Sequence, residues 1–179
     1  STDKSVELIK DFIHSHQLQG WSISVNPRNL GYIDNFLSLA ASATGDVIFF
    51  CDQDDVWKEH KIEQMLAVYK SNSRAKAVIS GYTVIDSAGV VRGNTLFTKT
   101  RTAGSGARVV PFNSQLRSNF SVGFALSARR DFYLKLIPII RKHGLTFDVP
   151  VGIFAAMVGD YVAVGEPLVY RRVHAGNVS

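Results

Sequence analysis

A chain of 179 residues that is 46% hydrophobic fits one domain with a sizeable core and is too apolar to be a disordered chain. No apolar run approaches the ~20 residues that span a bilayer, no secretory leader pattern stands at the start, and one cysteine, Cys51, excludes an internal disulfide and accords with a reducing cytosol. The net charge of +5 is uneven: residues 92–142 hold ten Lys and Arg against one acid, Asp131, and the rest of the chain holds ten against fourteen. That segment is either a solvated basic face or a surface for an anionic partner such as phosphate or phospholipid, and the lack of aromatics interleaved with the charges argues against nucleic acid.

In chain order, Val6, Ile9 and Ile13, with Leu8 and Phe12 beside them, predict a first helix that Gly20 stops. Trp21–Val25 alternates as a short strand does, and "NPRNLG" reads as a turn. A second helix follows over 32–44, with Ile33, Phe36, Leu37 and Ala40 as its buried stripe and Gly45 as its end. "VIFFC", 47–51, is a continuous apolar run, as in a strand covered on both faces. Next come a helix over 56–70, with Ile62, Met65, Leu66 and Tyr69 inward, and a strand over 75–86. This alternation argues a parallel α/β sheet with right-handed crossovers. Residues 92–113 are polar, basic and glycine-rich and read as a mobile loop. A strand over 120–128, a helix over 129–144 interrupted at Pro138, a short helix within 147–159 and one or two short strands with a tail complete a single domain over 1–179. A parallel sheet rarely starts with a helix, so the pattern also points to strands missing ahead of Ser1.

Asp52, Asp54 and Asp55 crowd the end of the "VIFFC" strand, where open α/β sheets bind their ligands. One of them, Asp54 or Asp55, has a use as the cap of the following helix. Three unpaired neighbouring carboxylates cost free energy, which a divalent cation offsets, and hard oxygen donors suit magnesium or manganese. A calcium loop does not fit, because Val56 and Trp57 stand where it needs a ligand and a glycine. The run Asp52-Gln53-Asp54-Asp55-Val56 also resembles the first motif of haloacid-dehalogenase-type phosphohydrolases, with Asp52 as nucleophile, Asp54 as acid, Ser80 ending a later strand and Gly159-Asp160 opening the last motif. Val164 stands where that last motif needs a second acid.

A larger part of the chain, from "NLGYIDNF" through "ATGDVIFFCDQDDVWKEHKIEQM" to "GEPLVYRRVHAGNVS", resembles family-2 glycosyltransferases, in particular their bacterial rhamnosyltransferase-like branch. The resemblance implies a GT-A fold, a mixed α/β sheet with flanking helices, here lacking its first strand or strands. It implies inverting, metal-dependent transfer of a sugar from a nucleotide-diphosphate donor to a saccharide or lipid-linked acceptor in cell-surface polysaccharide synthesis. Asp52 and Asp54 match the Asp-x-Asp pair, Asp54 as metal ligand and Asp52 on ribose or metal, with manganese or magnesium between them. Asp55 orients the loop and caps the helix. Asp148 matches the general base, and is also placed to cap a helix that Pro150 opens. His174 resembles the late histidine that completes the metal shell or touches the diphosphate, one residue out of the commoner spacing, and Arg171 and Arg172 are candidates for the donor's phosphates. Val149, Pro150, Val151 and Gly152 replace the family's usual aromatics after the base, so the acceptor pocket differs. The acidic nucleotide-binding segment, whose end Ser1-Thr2-Asp3 resembles, would lie upstream; without it the chain is either an inactive fragment or a binding module. The family's acceptors place it in the cytoplasm or at the inner membrane face, and "RRDFYLKLIPIIRK" either rests Leu136, Ile137, Ile139 and Ile140 on an anionic surface or packs them into the core.

Overall fold

A computed structural model describes residues 3–95, 106–118 and 121–174, which group into two units, Ser1–Asn35 and Phe36–Ser179. In the first unit helix α1 covers Ser5–Ser15. It ends short of Gly20, because Gln17 takes a left-handed φ of 50° and the Leu18 N–H turns back to the Ile13 carbonyl. The alternating Trp21–Val25 segment is not a strand. Alternation supplies two faces but no pairing partner, and none of the described strands takes up its backbone.

Helix α2, Gly31–Ser42, buries Leu37 and Ala40 of the expected stripe, while Ile33 and Phe36 are half-buried. The second unit is built on a seven-stranded sheet of β1 (Val47–Phe49), β2 (Val56–Trp57), β3 (Ala77–Ile85), β4 (Val91–Thr95), β5 (Ala107–Val109), β6 (Leu126–Arg129) and β7 (Tyr161–Arg172). Its order is β1-β6-β3-β7-β2, with β4 on β3 and β5 on β7. Among the described strands only β3 and β7 pair in parallel; β6 is antiparallel to both β1 and β3, and β2, β4 and β5 are antiparallel to their neighbours. The sheet is therefore mixed and not the parallel one that the helix–strand alternation argues. The alternation did carry direction, since β1, β3 and β7 run the same way; it could not show β6 inserted between the first two.

Helix α3 begins at Lys61, not at Val56, and runs to Ser71. Val56 and Trp57 instead pair with Tyr170 and Val169. The inward face shifts accordingly: Lys61, Met65, Val68 and Tyr69 are buried and Ile62 is exposed. Met65, Val68 and Tyr69 pack with Val78 of β3 and with Val162, Val164 and Leu168 of β7. The basic segment also contributes more than a loop: β4 and β5 both join the sheet, and α4 covers Phe112–Ser118.

A 3-10 turn, Gly123–Ala125, leads into β6, and helix α5 runs without a break from Arg130 to His143. Pro138 lies on its solvent side and the helix passes through it. Gly144, at φ 60°, caps α5 through its N–H on the Ile140 carbonyl. Tyr133, Leu136, Ile137 and Ile140 are buried and Ile139 is half-buried, so of the two alternatives for this face most of it packs into the core. Helix α6, Val149–Met157, follows, and β7 is one twelve-residue strand with an irregular register beside Gly81. No described helix is long and apolar enough to cross a membrane.

Candidate functional site

Because β1, β3 and β7 share one direction, their carboxyl ends open on one edge of the sheet. The loop after β1 carries Asp52, Asp54 and Asp55 along that edge, and β2 straps its far end onto β7. Arg172, the last residue of β7, fastens the loop from the other side. Its backbone N–H donates to Asp55 Oδ1 at 2.9 Å, its Nε to the Asp54 carbonyl at 3.1 Å, and its Nη1 to the carbonyls of Ser87 and Asp86 at 3.1 and 3.3 Å. Asp55 is thus a loop anchor. It does not cap α3, whose N-cap position is His60.

One residue pair past the strand end, His174 Nε2 lies 3.0 Å from Asp54 Oδ2, a contact between positions 120 apart in sequence. Both side chains remain partly open to solvent, at 36% and 28%. Asp52 is partly buried. Burial pushes its carboxyl up to about 6, with Asp55, Asp54 and Asp148 adding to the rise and the Arg171 guanidinium opposing it. Burial also raises Asp55, against the Arg172 N–H. Arg171 itself lies over the Phe124 ring, 5.6 Å from its centroid.

Asp148 reaches this group from α6. Its Oδ1 accepts the Val149 N–H at 2.8 Å, as an N-cap does, and its Oδ2 accepts the Gly123 N–H at 2.9 Å. Glycine is required at 123 by contact: a Cβ there would sit 2.4 Å from the Phe147 ring. Phe147 in turn stacks on Phe36 at 4.2 Å, and its carbonyl accepts the Tyr133 hydroxyl, which fixes the residue before Asp148.

The sequence reading missed Lys61. This lysine is fully buried, its Nζ donating to the Phe124 carbonyl at 2.7 Å and lying 3.9 Å above the Trp57 ring. Burial lowers its ammonium to about 7, against the charges of Cys51, Asp55 and Asp52. The available signal was a lysine on the apolar stripe with Met65, Val68 and Tyr69; it read as a polar position outside that stripe.

The phosphohydrolase pattern does not assemble. Ser80 is buried in mid-strand, and Asp160 precedes β7 on the opposite edge from Asp52, facing Arg74 at 3.3 Å. Among the described residues no group of three or more His, Cys, Asp or Glu is placed to hold a metal. Asp54 Oδ2 and His174 Nε2 still form an oxygen–nitrogen pair 3.0 Å apart. Residues 175–179 of the closing "GEPLVYRRVHAGNVS" segment, Ser1 and Thr2 lie outside the described residues, as do 96–105 of the basic segment.

The Glycosyl transferase family 2 domain matches residues 1–134. The chain is 26% identical over 176 residues to an uncharacterised glycosyltransferase of Nostoc sp., covering 98% of this chain and 50% of that protein. Its fold is similar to the crystal structure of S. aureus TarS, residues 1–349, in complex with UDP-GlcNAc, with a TM-score of 0.61 at 12% identity over 99% of this chain and 48% of that one. The chain spans about half the length of the relatives that it matches.

Proposed function

The chain belongs to glycosyl transferase family 2, and on that premise we propose that it carries the cation-binding and general-base half of a nucleotide-sugar transferase site. The observation that carries this reading is the contact of Asp54 with His174, which closes the strand edge where Asp52 and Asp148 also face. The donor is a nucleotide-diphosphate sugar, a choice supported by the UDP-GlcNAc in the TarS structure. Asp54 and His174 would hold a manganese or magnesium ion, with Asp52 beside them. Such an ion supplies positive charge against the leaving diphosphate.

The chain's own groups do the rest. Arg171 offers a guanidinium next to Asp52 for the donor's phosphates. The carboxylate of Asp148 is oriented by two backbone N–H groups, from Val149 and Gly123. A carboxylate is too weak to deprotonate an alcohol beforehand, so the acceptor's proton passes to Asp148 as the acceptor oxygen bonds to the anomeric carbon and the bond to diphosphate breaks. Attack opposite the leaving group inverts that carbon. Within this proposal the chain falls in the rhamnosyltransferase-like branch of the family, and the acceptor is a saccharide or lipid-linked hydroxyl of cell-surface polysaccharide synthesis at the inner membrane face. Arg172 takes a supporting part, since its guanidinium holds loop carbonyls.

Release of nucleoside diphosphate from UDP-, dTDP- and GDP-sugars in manganese tests the reading. One donor class should turn over, and Asp148→Asn should cut kcat by about 10²–10⁴-fold while leaving donor binding intact. A folded protein that releases diphosphate equally well after Asp148→Asn would remove Asp148 from the role of base.

A further inference from the structure

Lysine is almost never fully buried unless it is paired, yet Lys61 has no exposed surface at all. An apolar side chain of similar length would pack there without desolvating an ammonium. The ammonium is therefore kept for what it holds. Its hydrogen bond runs to the carbonyl of Phe124, in the centre of the Gly123–Ala125 turn. That turn delivers the Gly123 N–H to Asp148 Oδ2. The Phe147 ring blocks the turn from one side, leaving no room for a Cβ at 123, and Lys61 draws it from another.

The other end of the clamp lies in the aspartate segment. Trp57, whose ring receives the ammonium, directly follows Val56 and pairs with Val169 of β7. The ammonium's charge also reaches Asp52 and Asp55. One side chain thus joins the strap behind Asp52, Asp54 and Asp55 to the turn in front of Asp148.

We propose that Lys61 is a positioning residue for Asp148, holding through the Phe124 carbonyl the turn whose Gly123 N–H orients that carboxylate. The geometry stands by itself; only the meaning of Asp148 as a base rests on the transferase reading.

Amide hydrogen exchange at Gly123 tests it, because that N–H is the group said to be held. In Lys61→Met, Gly123 should lose protection by about tenfold or more while the amides of β3 and β7 keep theirs. In Lys61→Gln, which retains an N–H donor without the charge, much of the protection should return. In turnover, Lys61→Met should lower kcat by about 10- to 10²-fold with the donor KM within about twofold, as expected of a displaced catalytic group. Unchanged protection at Gly123, or a loss shared equally with β3 and β7, would overturn the proposal, the second because it marks a merely structural lysine. Should Lys61→Met fail to fold, Trp57→Leu removes the face under the ammonium and should move Gly123 exchange in the same direction. If the wild-type chain turns over no nucleotide sugar, the exchange result still decides the role of Lys61 and the transferase reading falls separately.

Discussion

At the scale of residues, the site is a group of carboxylates whose mutual repulsion is only partly relieved. Asp54 meets His174 and Asp55 meets the Arg172 N–H, while Asp52 has a carboxyl pushed up to about 6 from an ordinary 3.8. Between those values the folded state holds more protons than the unfolded state, so stability falls as pH rises through that window and the cost is complete above it. Asp52→Asn removes the cost. Thermal melts should show the variant a few degrees more stable than wild type at pH 7 and indistinguishable from it near pH 4; an equal gain at both would place the effect in packing instead of charge. Short local patterns in the sequence single out Asp52, Asp54, Asp148 and His174, and the fold brings Asp54 and His174 into contact. Lys61 and the latch role of Arg172 were not legible there. Their partners are carbonyl oxygens between 63 and 118 positions away, and a carbonyl leaves no trace in side-chain spacing.

At the scale of elements, the loop after β1 is held by β2 on one side and by the end of β7 on the other. Arg172 bonds carbonyls of both Asp54 and the Asp86–Ser87 turn after β3, so it ties two loop ends to a third. Arg172→Met should destabilise the chain by about 1–2 kcal/mol through those carbonyls and weaken donor binding, both readable in melts with and without nucleotide. Helix α5 bears on the membrane question. Ile140 has no exposed surface, so Ile140→Ala should cost about 2–5 kcal/mol in denaturant unfolding; a side chain lying on a membrane would cost nothing in solution. The pattern of α5 showed a helix with one apolar face, and only packing shows what that face meets. The start of α3 was misread for a related reason: Val56 and Trp57 suit a helix or a strand, and the edge of β7 decides for strand.

At the scale of the whole molecule, a mixed sheet places the ends of β1, β3 and β7 on one edge, and every site residue except Asp148 and Lys61 comes from those ends or the loop that follows. The segment after β7 is what makes one site of them, since His174 closes on Asp54 from the far end of the chain. Sequence patterning gave the α/β class, the common direction of these strands and the edge to inspect. It could not give the insertion of β6, because antiparallel pairing depends on a partner and not on the strand's own composition. The central claim is that this edge binds a divalent cation together with a nucleotide diphosphate. The most direct measurement is the melting temperature of the chain with manganese plus UDP, dTDP or GDP, beside Asp54→Asn. A shift with nucleoside diphosphate that depends on manganese and is absent from Asp54→Asn is the result predicted. A shift of equal size in Asp54→Asn, or one that persists without manganese, would contradict the claim.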